Sequence, residues 1–202
     1  MRTIDDFNFK EKKVLIRVDF NVPLEKGRVT DTTRIKSAVP TILKIIKDGG
    51  ACILMSHLGR PNGFEDQFSL IQIKSELDKI LKIKTKFCTD CVGPIAEEMS
   101  QQLLMGEVLL LENLRFYSDE TKGDEEFSQK ISRHGDCFVN DAFGTAHRAH
   151  ASTTVVAKYF KNRFFGKLLE KEVLALKKVM SDGVSPVSYT HLRAHETPEQ
   201  LV

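Results

Sequence analysis

The sequence lacks any long apolar stretch. No run approaches the roughly 20 apolar residues that a membrane-spanning helix needs, and the first residues, "MRTIDDFNFKEKK", contain no apolar core like that of a secretory signal. We therefore expect a protein that is not secreted and has no membrane partner. The charge is nearly balanced, with 30 Lys and Arg against 28 Asp and Glu, which argues against a nucleic-acid partner.

Glycine-rich nucleotide-binding motifs are also missing. The chain contains neither G-x-x-x-x-G-K-[ST] nor G-x-G-x-x-G, and although Gly59 and Gly63 flank "RPN", no Lys-Ser pair follows them. The absence of the second motif argues against a dinucleotide-dependent oxidoreductase. We expect no cofactor-binding residues in this chain.

Cysteine is scarce, with four residues in the chain. Cys52 and Cys137 lie in apolar strand-like runs, which favours free, buried thiols and a reducing, cytoplasmic location. Cys88 and Cys91 form "CTDC" between a predicted strand and a predicted helix, the context of a redox dithiol. A single C-x-x-C is a weak indication of redox or zinc chemistry, so two ordinary thiols are the simpler interpretation. We expect no metal site.

Buried strands alternate with amphipathic helices along the chain. Continuous apolar runs are typical of strands that are covered on both faces, as in parallel sheets. The predicted strands are 13–20, 51–57, 85–88, 107–113 and 136–143, and helical periodicity occupies 32–50, 69–83, 93–104 and 124–135. This alternation predicts an α/β fold with a doubly wound parallel sheet and right-handed crossovers.

Polar and basic residues follow four of these strands. Ligands of open parallel sheets bind beyond the carboxyl ends of the strands, and the planar guanidinium group of arginine suits carboxylates and phosphates. Loop arginines can simply be solvated, but three at equivalent exits, two with a histidine nearby, favour a site for a small, highly anionic molecule with a hydroxyl group. The exit residues are Asp19, Asn21, His57, Arg60, Glu112, Asn113, Arg115, Asp141, His147, Arg148 and His150.

Arg34 breaks a local rule of helix sequences. If Asp31 or Thr32 is the N-cap, Arg34 lies in the first helical turn, where the helix dipole disfavours a cation by roughly 0.3–1 kcal/mol. Residues that break such rules serve function more often than others, and an arginine at a helix N-terminus would attract an anion. Simple tolerance of the penalty is the alternative. Asp19 could pair with an arginine or accept a hydrogen bond from a substrate hydroxyl.

Five motifs carry a resemblance to a known family. "RVDFNVPL", "DTTRI", "SHLGRP", "LLLENLRF" and "NDAFGTAHRAHAS" resemble, in order and spacing, the N-terminal domain of phosphoglycerate kinase, and the resemblance covers residues 5–181. It implies the N-terminal half of a two-domain kinase, with a Rossmann-like three-layer doubly wound parallel sheet. That half would bind 3-phosphoglycerate or 1,3-bisphosphoglycerate, and Mg-ATP or Mg-ADP would bind to a second domain. Hinge closure would then allow direct phosphoryl transfer.

The resemblance also implies a role for individual residues. Arg34 would contact the substrate and steady the transferring phosphoryl group, as the catalytic residue. The remaining substrate-binding residues would be Asp19, Phe20, Asn21, His57, Leu58, Gly59, Arg60, Arg115 and Arg148.

The resemblance stops after Asp182, so we expect three regions. Residues 1–165 would form the phosphoglycerate-binding domain, and residues 166–182 the interdomain helix, with an apolar stripe of Leu168, Leu169, Val173, Leu176 and Val179. Residues 183–202 would be a disordered tail foreign to the family, in which the histidines of "HLRAHE" lack a third metal ligand. The chain alone would be a monomer without kinase activity. The alternative is a non-catalytic module that binds a phosphorylated metabolite.

Overall fold

A parallel β-sheet of six strands forms the centre of the molecule in a computed structural model that describes residues 2–145 and 149–181. A short antiparallel hairpin lies outside it. Along the chain the strands are β1 (Lys13–Arg17), β2 (Leu24–Glu25), β3 (Arg28–Val29), β4 (Ala51–Met55), β5 (Lys86–Phe87), β6 (Val108–Leu110), β7 (Cys137–Asn140) and β8 (Arg163–Phe165).

Helices connect most of these strands. The α-helices are α1 (Thr33–Lys47), α2 (Ile71–Leu81), α3 (Pro94–Gln101), α4 (Ser118–Lys122), α5 (Glu125–Ser132) and α6 (Lys167–Ser181). One π-helical turn spans Ala151–Val155, and 3₁₀ turns span Ile4–Asp6, Asp66–Phe68, Leu114–Phe116, Phe143–Thr145 and Val156–Tyr159.

The order of strands in the sheet is β5-β6-β4-β1-β7-β8, and every pairing within it is parallel. The chain moves from β1 to β4 on one side and later returns to β7 on the other side of β1. This reversal is the topological switch point at which open α/β sheets bind their ligands. The predicted doubly wound parallel sheet is confirmed.

Side chains of each central strand alternate between two hydrophobic cores. In β4, Cys52 and Leu54 face the layer that contains α1 and α2, whereas Ile53 and Met55 face the layer that contains α3 and α5. Because successive residues of a strand point to opposite faces, a continuous apolar run is what a doubly covered strand requires. The result is a three-layer architecture.

The five predicted strands are all present, but their polar ends lie in loops, and the structure adds elements that the sequence analysis missed. β8 was missed because it is only three residues long and begins with an exposed arginine. The hairpin of β2 and β3 was missed because each strand has two residues. The predicted start of α2 at Ser69 was wrong: the helix begins at Ile71, and the Ser69 hydroxyl donates to Glu112 Oε2 at 2.6 Å.

The apolar stripe of α6 is only partly covered. Leu169 is 3% exposed, whereas Leu176 and Val179 are 51% and 65% exposed. The second half of this stripe therefore faces water. The predicted tail at 183–202 lies outside the described residues. Within the described part of the chain, no helix combines the length and apolar character needed to cross a membrane.

All four cysteines are free and buried, as predicted for Cys52 and Cys137. Burial raises the pKa of the Cys91 thiol well above its ordinary value, and it also raises the pKa of Cys88. Reactive dithiols need the opposite shift. The structure therefore favours two ordinary thiols in the C-x-x-C segment.

Candidate active site

A polar cavity of about 330 Å³ lies beyond the carboxyl ends of β1, β4 and β6. Its lining combines basic side chains with one carboxylate and one amide. The lining residues are Asp19, Asn21, Arg34, His57, Gly59, Arg60, Arg115, Gly144 and Thr145. Seven of these are predicted site residues from four separate segments of the sequence.

A larger cavity of about 640 Å³ lies along β7, β8 and α6. Its walls include many apolar side chains, among them Phe138, Phe164 and Leu169. Arg2, Lys161 and Arg163 also line it, but the smaller cavity is mainly polar and lies at the switch point of the sheet, so it is the candidate site for a small anion.

Hydrogen bonds tie together the loops that form this cavity. Gly59 donates its backbone N–H to Asn21 Oδ1 at 2.8 Å, and its carbonyl oxygen accepts from Arg115 Nη1 at 3.0 Å. Gly59 has a φ of +63°, and a Cβ atom there would overlap the ring of Phe68. Glycine at this position therefore lets the loop after β4 fold against Phe68, and its backbone hydrogen bonds join this loop to those after β1 and β6.

Arg34 and Asp19 form an ion pair at the cavity. The Arg34 side chain is 50% exposed and that of Asp19 is 14% exposed, so the arginine lies at the rim. Arg34 is in the first turn of α1, as predicted, and Asp31 Oδ1 accepts the Thr33 N–H at 2.8 Å just before it. The ion-pair alternative for Asp19 is thus present in the structure, and it holds the guanidinium group of Arg34 beside the cavity.

His57 is buried in the cavity wall and stays neutral. Its Nδ1 atom lies 3.1 Å from Nη2 of Arg17. Burial first, and then the positive charges of Arg17, Arg115 and Arg34, lower the pKa of His57 to about 2. At neutral pH the ring is therefore an uncharged hydrogen-bonding group among cationic neighbours.

Arg17 was missed by the sequence analysis. It lies in β1 and is 1% exposed, so it is a buried charge within an otherwise apolar run. The sequence did contain a signal for it: "KVLIRVDF" places an arginine in a strand predicted to be covered on both faces. A charge buried in this way requires partners, so it could have been identified as part of a polar network.

Two predicted site residues contribute from behind the cavity. Phe20 is fully buried in the hydrophobic core, and its backbone N–H donates to Ser56 Oγ at 2.9 Å. Leu58 is buried and lines a neighbouring pocket together with Asn21 and Gly59.

Three other strand-exit residues have structural roles. Glu112 accepts hydrogen bonds from Ser69 and the Leu70 N–H, and Asn113 donates to the carbonyl oxygens of Leu58 and Phe68. The carboxylate of Asp141 accepts from the backbone at the start of α6. These three residues do not line the cavity.

His147 and Arg148 lie outside the described residues, so the predicted contribution of Arg148 stays a prediction. His150 is described: its Nδ1 atom is 4.0 Å from Oε1 of the buried Glu120.

Comparison with known proteins shows which family this chain belongs to. The sequence model of the family described as "Phosphoglycerate kinase" matches residues 4–190. This protein belongs to the phosphoglycerate kinase family. Phosphoglycerate kinase of Porphyromonas gingivalis is 47% identical over 91% of this chain and 50% of its own length, and that of Moorella thermoacetica is 49% identical over 91% and 47%. The resemblance inferred from the motifs is confirmed.

Solved structures of the family share the fold. The phosphoglycerate kinase from Pyrococcus horikoshii OT3 superposes with a TM-score of 0.85 at 34% identity, covering 92% of this chain and 47% of its own. The enzyme from Coxiella burnetii gives a TM-score of 0.79 at 38% identity, covering 88% and 44%. The chain thus spans about half the length of the relatives it matches. The family match ends at residue 190, inside the segment predicted to be foreign.

Proposed function

We propose that this chain carries the phosphoglycerate-binding half of a phosphoglycerate kinase, which transfers a phosphoryl group reversibly between 1,3-bisphosphoglycerate and ADP to give 3-phosphoglycerate and ATP in glycolysis. The observation that carries this proposal is the convergence of Arg34, Arg60, Arg115 and His57 on one cavity at the switch point of the sheet. A phosphate and a carboxylate on one small molecule match such a set of donors.

Different cavity residues contact different groups of the substrate. Arg60 and Arg115 neutralise the anionic groups, the loop of Asn21 and Gly59 forms the wall, and Asp19 accepts a hydrogen bond from the hydroxyl group. Phe20 and Leu58 support this wall from the core. Arg148 is assigned to the same basic patch on the family motif alone.

Arg34 is the proposed catalytic residue because it lies at the rim of the cavity. In the transfer, the carboxylate oxygen of 3-phosphoglycerate forms a bond to the γ-phosphorus of ATP, and the bond from that phosphorus to ADP breaks. Negative charge develops on the moving group, and a guanidinium group held beside it stabilises this charge. Asp19 keeps the Arg34 guanidinium in place until the substrate arrives.

The Mg-nucleotide is the second substrate. Among residues 2–145 and 149–181 no cluster of three His, Cys, Asp or Glu side chains is placed to hold a metal ion. On the family resemblance, we assign the nucleotide to the part of the relatives that this chain does not match. We further propose that the protein acts as a cytoplasmic monomer, and its free, buried thiols suit a reducing compartment.

Isothermal titration of the 202-residue chain with 3-phosphoglycerate tests this function. We expect saturable binding, with one ligand per chain, that weakens when inorganic phosphate is added. Arg115→Ala should weaken binding roughly tenfold or more, because a charge-assisted hydrogen bond is lost. The matched control is Arg133→Ala, since Arg133 is exposed and pairs with Glu97 away from the cavity.

Two results would contradict the proposal. Equal effects of Arg115→Ala and Arg133→Ala would show that binding does not use the cavity. ATP-dependent turnover by this chain alone would show that it carries more than the phosphoglycerate half.

A further inference from the structure

Arg17 and Ser152 connect His57 to the carboxylate of Glu120 in α4. Its Nη2 atom contacts His57 Nδ1 at 3.1 Å, and its Nε–H donates to Ser152 Oγ at 2.9 Å. Ser152 in turn donates its hydroxyl to Glu120 Oε1 at 2.6 Å and its backbone N–H to Oε2 at 3.0 Å. The remaining Arg17 nitrogen, Nη1, donates to the Val18 carbonyl oxygen.

Every member of this network is removed from water. Arg17 and Glu120 are each 1% exposed, and Ser152 is fully buried. A buried arginine and a buried carboxylate are each costly alone, but they offset one another when hydrogen bonds connect them. The network therefore holds the guanidinium group in one orientation.

The contact between Arg17 and His57 decides the state of the imidazole ring. A guanidinium group has five N–H donors and no acceptor, so His57 Nδ1 must accept and cannot carry a proton. A neutral ring then has its proton on Nε2. Because His57 lines the cavity, that N–H is a donor available to an anion.

We propose that Arg17 is a positioning residue, which fixes His57 as the neutral Nε2–H tautomer so that the ring donates a hydrogen bond to the bound phosphoglycerate. This inference rests on the proposed function for the identity of the anion. It goes beyond that function by assigning a role to Arg17, Ser152 and Glu120, none of which the sequence analysis placed at the site.

The surroundings of His57 keep this state over a wide pH range. The charged and titratable groups that act on the ring are Arg17 from β1, Arg34 from α1, Arg115 after β6 and His150. All of them disfavour protonation of the ring, and burial, which lowers its pKa most, acts in the same direction. The donor is therefore present both above and below neutral pH.

The first test reads the tautomer in the unmodified, ligand-free chain. Two-dimensional ¹H–¹⁵N spectra that correlate ring nitrogens with ring protons distinguish a protonated from an unprotonated nitrogen, and through-bond correlation to the backbone assigns His57. We expect an unprotonated Nδ1 and a protonated Nε2, unchanged between pH 8 and pH 5.5. A proton on Nδ1, or titration of the ring in this range, would overturn the inference.

The second test changes Arg17 and measures 3-phosphoglycerate affinity. In Arg17→Met, which keeps length but has no donor, nothing requires His57 Nδ1 to accept a hydrogen bond. We expect the ring proton to lie on Nδ1 in part of the molecules and the affinity to fall roughly tenfold. The ring spectra of the variant provide a readout that a merely structural role of Arg17 would not change. A proton that stays entirely on Nε2 in the variant would contradict the inference.

The two tests separate failure of the inference from failure of the proposed function. Absence of 3-phosphoglycerate binding by the unmodified chain would overturn the proposed function and the substrate role of His57, whatever the tautomer. Normal binding together with a titrating His57 would overturn only the role of Arg17. If Arg17→Met does not fold, the tautomer of the unmodified chain still decides the matter.

Discussion

Gly166 lies directly against the carboxyl group of Asp141, so close that a Cβ atom at position 166 would overlap it. The same carboxylate accepts hydrogen bonds from the backbone N–H groups of Leu168 and Leu169, at 2.9 and 3.2 Å. The first turn of a helix leaves such N–H groups without intrahelical partners. Asp141 therefore joins the end of β7 to the start of α6.

Replacing Gly166 by alanine should break this junction. The added methyl group must displace the Asp141 side chain or the start of α6, and we expect a loss of about 1–3 kcal/mol in the free energy of unfolding. Urea unfolding measures this loss. The control is Gly106→Ala, where φ is +85° but no atom lies within 4 Å, so only backbone strain of about 1 kcal/mol applies. Equal midpoints for the two variants would contradict the contact.

Shortening a leucine side chain to alanine should change the stability of the protein differently in the two halves of α6. Leu169→Ala removes a buried side chain and should cost about 2–5 kcal/mol. Leu176→Ala removes a side chain that is half exposed, and its effect should stay within about 0.5 kcal/mol. Thermal unfolding of both variants provides the comparison. A large loss for Leu176→Ala would mean that the second half of the helix is covered in solution.

The chain should lose stability as the pH falls below the ordinary pKa of histidine. His134 is buried, with Ser100 Oγ and the Cys91 carbonyl oxygen each 3.1 Å from its ring nitrogens, and burial lowers its pKa. The pKa of His57 is lowered as well. The unfolded chain then binds more protons than the folded chain. The free energy of unfolding therefore decreases as the pH decreases, by up to about 1.4 kcal/mol per pH unit for each histidine.

Urea midpoints between pH 8 and pH 5.5 test this dependence. The window begins near the unfolded pKa of about 6.5 and extends down toward the lowered folded value. His134→Gln keeps hydrogen-bonding capacity without titrating, so its stability should depend less steeply on pH than that of the unmodified chain. The same slope for both chains would show that His134 is protonated in the folded state.

Arg34 should matter more for turnover than for binding. The proposed assay joins residues 1–181 to the C-terminal half of the Porphyromonas gingivalis relative, which is 47% identical where the two match. Arg34→Ala should lower kcat by roughly 100-fold and change KM less, because the other basic groups still hold the ground state. Arg133→Ala is again the control. An intact kcat with a raised KM would assign Arg34 to substrate binding alone.

Much of the fold follows from local patterns. The five predicted strands exist because their apolar runs are covered on both faces by helices. Since parallel strands end at one edge, the exit residues Asp19, His57, Arg60 and Arg115 could be placed together before the structure was known, and they share one cavity. Glu112, Asn113 and Asp141 are equally polar residues at strand exits, but their hydrogen bonds stabilise the fold and they do not line the cavity. Nothing in their sequence positions distinguishes these roles, because the difference lies in the partners that each side chain meets.

Residue order alone was sufficient for the family, the alternation of strands and helices, and the position of Arg34 in the first turn of α1, because motifs, periodicity and capping are properties of neighbouring residues. Other features depend on contacts between distant segments. Ser152 lies 135 positions from Arg17, and Leu168 lies 27 positions from Asp141. Whether a buried charge finds such a partner is decided only when the sheet brings the segments together, and the same packing makes His57 neutral, covers Leu169 and leaves Val179 in water.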